Sequence, residues 1–364
     1  MKGQLSPQAW FLLSTGIVLA VLVTGLCLLG AFVYYLPVIL PPPSISPQGF
    51  NYFTLTPASV SAERTPTSTT LVAVATSRQL PTLSPDISST PSIPSPVAIP
   101  GNSHIVFVTE RKGYNSIFIM NADGTGQRLL IPHDGSYYDY APAISPDGRR
   151  LAFSSNREKP GTDNIYIMSM DGTDFTKITA TQNAKNWSSS WFPDGRRLAF
   201  CSNRQGHWQA FTMNDDGSDV KSLVSSNEDV INVEVSPNGS AIAYLCGKEI
   251  CLANSDGTNP RVLLQNGLPK DHLAWSPDSA RLAFSQLNPN TGKTSVNVLD
   301  LQASPRQLVE NGGWPSWSPD GTRIVFSSDM SGVANLYRYD FATAQVVRLT
   351  TIETADYTPV WTRN

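Results

Sequence analysis

Trp317-Ser318-Pro319-Asp320-Gly321, followed closely by Ile324-Val325-Phe326, is the stretch on which the fold turns, because it recurs. Sister copies are Ile144-Ser145-Pro146-Asp147-Gly148, Trp191-Phe192-Pro193-Asp194-Gly195, Val235-Ser236-Pro237-Asn238-Gly239 and Trp275-Ser276-Pro277-Asp278-Ser279. Their fourth residues are 47, 44, 40 and 42 positions apart. Each copy leads into an apolar triplet, such as Leu151-Ala152-Phe153 or Leu198-Ala199-Phe200. An alternating run follows (Asn164 to Met168, Asn335 to Tyr339), and several copies then show a second turn at Asp171-Gly172, Asp216-Gly217 or Asp256-Gly257. Pro-Asp-Gly and Asp-Gly supply the dihedrals that join antiparallel strands, and the short runs between them read as half-buried and central strands. Four strands in about 42 residues form a sheet too small to stand alone. Radial stacking buries both faces of such sheets, so the repeat predicts an all-β propeller.

The ends of the repeat set the number of blades. Residues 104–130 contain three strands of a unit but lack its Trp-Ser-Pro strand. The C-terminal run Asp356 to Trp361 has that strand and nothing after it. One split blade and five whole ones predict a six-bladed propeller over 103–364, closed by pairing the last strand with the first blade. That strand is expected to be essential, since without it a sheet edge lies open.

The repeat resembles the TolB-type, WD40-like (PD40) propeller repeat, most closely over Ala143–Ile167 and Ser190–Phe211, including Asn156-Arg157 and Asn203-Arg204. The resemblance covers 103–364. It implies a platform that binds a protein or other ligand, by analogy of fold. TolB proteins carry an additional α/β domain before the propeller, whereas here a Pro/Ser/Thr-rich segment takes its place. Propellers of this type also occur fused to serine peptidases, but no G-x-S-x-G is present.

Upstream of the repeats the composition changes. Phe11–Val33 is an uncharged run of 23 residues, flanked by Trp10 on one side and by Tyr34 and Tyr35 on the other. At about 1.5 Å per residue it spans roughly 35 Å, enough for a bilayer core. Lys2 precedes it and no cation follows until Arg64, which places the N-terminus in the cytoplasm and the rest outside. The run is longer than the apolar region of a cleaved signal peptide. The expected organisation is a cytoplasmic tail (1–9), a transmembrane helix (10–35) that anchors the chain in the cell membrane, a disordered linker (36–102) and the propeller (103–364). The linker offers little apolar surface to offset its ordering entropy.

From residue 101 onward the chain has 23 basic and 27 acidic residues, with no basic run, which argues against nucleic-acid binding. The aspartates of the repeats (Asp123, Asp147, Asp171, Asp194, Asp216, Asp256, Asp278, Asp320) read as turn residues that bond their own backbone, not as a metal array. The histidines His104, His133, His207 and His272 are scattered and no Cys-x-x-Cys occurs, so neither a metal nor a cofactor is expected. Cys246 and Cys251 flank a tight hairpin, where either a disulfide or two free thiols would fit. Cys201 replaces the serine of sister repeats and reads as packing.

The positions before each inner strand vary while the framework repeats. Aligned on the repeats they are Asp139-Tyr140, Asn186-Trp187, Val230-Ile231, Asp271-His272, Gly313-Trp314 and Asp356-Tyr357. They are expected to crowd one mouth of the central channel and to form a recognition surface on a rigid scaffold. On this reading the protein is a non-enzymatic, membrane-tethered module that binds an envelope protein or a cell-wall polymer outside the cytoplasm. The alternative is an extracytoplasmic hydrolase or lyase at the same mouth, with Asp139, His272 and Asp356 as acid–base groups.

Overall fold

A computed structural model describes residues 103–362 apart from Gln182. The cytoplasmic tail, transmembrane helix and linker expected over 1–102 lie outside the described residues. Within the described residues no helix is long and apolar enough to cross a membrane.

These residues form six antiparallel sheets of four strands. Blade 2 is representative, with strands Asp139–Ile144, Arg150–Ser155, Asn164–Ser169 and Thr176–Lys177 running from the axis outward. The innermost strands of blades 3 to 6 are Asn186–Trp191, Val230–Val235, Lys270–Trp275 and Gly313–Trp317. Blade 1 is the split one. The C-terminal strand Asp356–Trp361 pairs antiparallel with His104–Thr109, placing Ile105 opposite Trp361 and Thr109 opposite Asp356. The ring is thus closed by the strand expected to close it.

The core lies between blades. The second strand of five blades buries a phenylalanine completely: Phe107, Phe153, Phe200, Phe284 and Phe326. Each such side chain contributes roughly 2–3 kcal/mol of apolar transfer free energy. The repeat tryptophan ties neighbouring blades together. Trp191, Trp275 and Trp317 donate their indole N–H to the carbonyls of Ala143, Glu234 and Ala274 on the preceding blade, at 3.1–3.2 Å.

All eight repeat aspartates bond their own turns, each accepting the N–H two residues on. At Asp123, Asp171, Asp216 and Asp256 a hydroxyl from Thr125, Thr173, Ser218 or Thr258 holds the carboxyl below its usual pKa, and the backbone N–H adds to this. The glycine after Asp256 has a second task. A Cβ on Gly257 would overlap the carbonyl oxygen of Leu223 on the preceding blade, so this turn is also a contact between blades.

One detail of the alignment differs from the expectation. Asp139, Asn186 and Asp356 lie opposite Ser155, Ser202 and Thr109, and the residue at the same place in blade 5, opposite Gln286, is Lys270. Gly313 in turn lies opposite Ser327, as Tyr140 lies opposite Ser154. His272 and Trp314 therefore stand one residue further along their strands than Tyr140 and Trp187. The sequence alignment slips because neither Lys270 nor the Gly312-Gly313 pair carries a signal shared with the other blades.

Candidate functional site: the channel and its mouth

Five inner strands break register after their second residue, and that of blade 6 does so after Gly313, its first. At or beside the break stands a non-glycine residue in the left-handed region: Ala141, Ser188, Asn232, His272, Trp314 and Thr358, with φ between 45° and 54°. Such a backbone costs about 1 kcal/mol or more per residue and persists only where its surroundings enforce it. Here the bulge bends each strand near the mouth and sets the direction of the side chains there.

The first position of each inner strand is buried. Asp139, Asn186 and Asp356 have no exposed surface, so they lie under the mouth and do not line it. Arg157 Nη2 donates to both Asp139 oxygens, at 2.8 and 2.9 Å. Arg157 is in turn packed over Tyr137 and Phe175, with ring centroids 4.7 and 4.3 Å away. Burial pushes the Asp139 carboxyl above its usual pKa and Arg157 pulls it back. In blade 3, Arg204 donates to Asn186 Oδ1 at 2.9 Å. The Asn-Arg pair of the repeat is thereby explained. The arginine reaches the first residue of the inner strand, while Asn156 and Asn203 accept from the N–H of Tyr138 and Lys185 just before it. In blade 5 the charge is reversed. Lys270 Nζ, fully buried, donates to the carbonyls of Lys248 and Leu268, to Asn266 Oδ1 and to Glu249 Oε2.

Tyr140 and Tyr357 pack partly buried against the apolar seam between blades 1 and 2. Trp187 meets Trp208 edge-on, 5.7 Å between centroids, beside the Cys246–Cys251 hairpin. The two cysteines are joined by a disulfide, with Cα atoms 6.0 Å apart. Cys201 is buried in the same cluster and its thiol is pushed up to about 12.

Three of the expected mouth residues meet. Trp314 lies between His272 (6.3 Å) and Tyr357 (5.9 Å), an aromatic arc carried on blades 5, 6 and 1. Asp271 is exposed beside it and accepts the N–H of His272. The surroundings of His272 disfavour its charged form. Asn232 Oδ1 accepts from Leu273 N at 2.8 Å, which turns its amide NH2 toward His272 Nδ1, 3.5 Å away. A proton on Nδ1 would face that donor. Burial also lowers the His272 pKa, opposed by Asp271 with its carboxylate at 4.0 Å. The acid–base trio is not assembled: Asp139 is paired with Arg157, and Asp356 is enclosed in the ring-closing blade.

Beyond the arc the axis opens into a cavity of about 380 Å³, running from His272 to the Pro146, Pro237, Pro277 and Pro319 turns. The fifth residues of five inner strands line it, Ala143, Ser190, Glu234, Ala274 and Val360, together with Ser316, the fourth of the shorter strand in blade 6. Glu234 is the one carboxylate in this lining and accepts the Ser190 hydroxyl at 2.9 Å. Sequence reading passed over Glu234 and Asn232. The available signal was Glu234, an acid where sister strands carry Ala143, Ser190, Ala274, Ser316 and Val360; Asn232 has no such mark, since His272 and Thr358 stand at its place in other blades. Among the described residues no cluster of metal-ligating side chains occurs.

The TolB β-propeller domain profile (PD40) matches residues 87–249 and 246–364. The chain belongs to this family. "Tol-Pal system protein TolB" of Ruthia magnifica is 24% identical over 103 residues, covering 28% of this chain and 24% of its own length. The protein of the same name from Bordetella pertussis is 27% identical over 150 residues, covering 27% of this chain and 34% of its own length. The matched regions thus span a quarter to a third of these curated relatives. TolB from Acinetobacter baumannii superposes with a TM-score of 0.63 at 19% identity, over 72% of this chain and 68% of its own. A chain of the nidogen/laminin complex superposes with a TM-score of 0.57 at 13% identity, over 71% of this chain and 98% of that one. At such identities the likeness is one of fold.

Proposed function

We propose that this TolB-family propeller is a non-enzymatic binding scaffold, tethered to the membrane and placed outside the cytoplasm, that engages an envelope protein or cell-wall polymer at the channel mouth. The carrying observation is the arc His272–Trp314–Tyr357 beside the exposed Asp271. Tyrosine and tryptophan fixed on a rigid frame offer contact area at little entropic cost, and a neighbouring carboxylate adds direction. The curated relatives are named as proteins of the Tol-Pal system, which supports a role in binding a partner protein here. The disulfide is consistent with an oxidising compartment, and the apolar run Phe11–Val33 supports the tether.

The test is a pull-down with the full chain in detergent, against the envelope fraction and separately against purified cell-wall polymer. Trp314→Ala and Asp271→Ala are compared with the native sequence. A partner retained by the native chain and lost by both variants supports the reading. Equal recovery by all three moves binding away from the mouth.

A further inference from the structure

The six outer edges of the propeller are not equivalent. A sheet edge exposes unpaired N–H and C=O groups that template pairing with another strand, and proteins blunt such edges with short strands, bulges and charges. Five of the six blades do so. The outer strands of blades 1 and 2, Arg128–Leu129 and Thr176–Lys177, are two residues long. Those of blades 3, 4 and 5 run for four residues but break register, at Ala210/Phe211, Ile250/Cys251 and Val296/Asn297. Each of these three also begins with a cation: Lys221, Arg261 or Arg306.

Blade 6 is blunted less: its outer strand is as long as those of blades 3 to 5, keeps its register throughout, and carries its one cation, Arg348, at the last position. Its outer strand Gln345–Arg348 pairs with Asn335–Asp340 over all four residues without a shift, and all four side chains are exposed. Val346 and Val347 are each 41% exposed, and Met330 and Val333 at one end of the same blade are exposed too. Of nine large exposed apolar side chains among the described residues, blade 6 holds these four.

We propose that the outer edge of blade 6 is a two-fold interface with a second copy of this chain, the two strands Gln345–Arg348 pairing antiparallel. The register follows from the backbone. Leu349 N–H bonds inward to Leu336 C=O at 2.8 Å, so by alternation Val347 also bonds inward, while Val346 and Arg348 turn their groups outward. Only outward residues can exchange hydrogen bonds across the new seam. Val346 therefore pairs with the partner copy's Arg348, and Arg348 with the partner copy's Val346. Val347 then faces its own counterpart at the non-hydrogen-bonded position between them.

This arrangement is self-complementary. Apolar Val347 sits on the two-fold axis, and each guanidinium lies against a valine instead of against the other guanidinium. Like charges opposite each other would have opposed pairing with a second copy, and they do not occur. Two four-residue strands bury less than the roughly 1,200 Å² of a standard specific interface, so the dimer is weak and concentration-dependent.

The register gives a direct test. Facing residues at a non-hydrogen-bonded pair have Cα atoms about 4.5 Å apart, within disulfide range. The full chain in detergent, with Cys27→Ser to remove the thiol outside the described residues, receives Val347→Cys. Diamide then takes up the two electrons and two protons released as the S–S bond forms. The control is Val262→Cys on the blade 4 edge, where the native valine is 52% exposed. At equal concentration, covalent dimer is expected at least tenfold more from the blade 6 site. Adding Val346→Pro, which removes an outward N–H and no internal bond, should abolish the excess, with circular dichroism confirming the fold. Equal trapping at the two sites, or trapping indifferent to Val346→Pro, would overturn the proposal. A monomer by sedimentation at the highest attainable concentration would do so as well.

Discussion

Asp139 in blade 2 and Asp356 in blade 1 occupy the same place in the repeat and are both wholly buried, yet they are solvated differently. Asp139 holds Arg157 in an ion pair. Asp356 has no such ion pair, because Arg111, which follows the second strand of blade 1 as Arg157 does in blade 2, turns its guanidinium to Gln127 Oε1 at 2.7 Å, leaving the hydroxyls of Thr109 and Thr350 as its nearest polar neighbours. Burial raises the Asp356 pKa, and nearby Thr109, Thr350 and Arg111 only moderate the rise. The difference teaches that the repeat fixes a buried polar position without fixing how it is compensated. The blade that closes the ring holds the weaker solution.

The largest expected effect comes from breaking the compensated site. Arg157→Ala leaves Asp139 buried without its partner and should destabilise the propeller by about 3–5 kcal/mol in chemical denaturation. Arg111→Ala, which breaks no pair with Asp356, should cost far less. If the two variants lose the same stability, the contrast between the blades is mistaken.

Gly257 and Gly172 provide a second pair of sister sites. Both have positive φ, 84° and 95°, so alanine is strained at either. Only Gly257 also abuts the neighbouring blade, and Gly257→Ala should lower stability by at least about 2 kcal/mol more than Gly172→Ala, on the scale of overpacking. Thermal unfolding of the two variants side by side measures the difference.

A carboxamide should act in opposite directions at the two acids. Asp139→Asn deprives Arg157 of its anion and destabilises. Asp356→Asn removes an uncompensated charge and should stabilise at pH 7 by about 1–3 kcal/mol, the scale of a relieved buried polar group. The sign with pH follows from linkage. With its folded pKa raised, Asp356 favours folding fully only below the ordinary carboxylate pKa, and this contribution is lost as pH rises through the folded value. The advantage of Asp356→Asn should therefore shrink on acidification, which denaturation between pH 3 and 7 would record. Blade 3, with Asn186 at this position, is the internal precedent.

The smallest effect concerns the mouth. Asn232→Ala removes the amide that faces His272 Nδ1, so the imidazole pKa should move up while burial still holds it below its usual value, at a cost of about 1 kcal/mol for the Leu273 N–H left unpaired. The ring-proton NMR titration of His272 follows it.

The fold was legible because its turns announce themselves. Pro-Asp-Gly and Asp-Gly repeat, and the eight aspartates do what such residues do in turns. Blade number and ring closure followed from the two incomplete ends. The mouth was less legible for two physical reasons. Its bulge is built on Ala141, Ser188, Asn232, His272, Trp314 and Thr358, none of them a glycine that would mark a left-handed residue. The compensation of the buried first position is spatial: an arginine from a loop in blades 2 and 3, a lysine with Glu249 in blade 5. Asp139, Asn186 and Asp356 thus looked like mouth residues although they lie beneath it. His272 reaches the channel cavity, and Trp314 packs against this histidine, through a register the sequence alignment had shifted by one.

The most direct test of the central claim places a photo-crosslinking amino acid at Asp271, on the rim of the aromatic arc, in the full chain expressed in its own cells. A matched protein carries the same group at Val262 on the blade 4 edge. A discrete crosslinked envelope component is expected from position 271, absent from position 262 and lost when Trp314→Ala is added. A crosslink from 262 but not from 271, or one from 271 that survives Trp314→Ala unchanged, would contradict the claim.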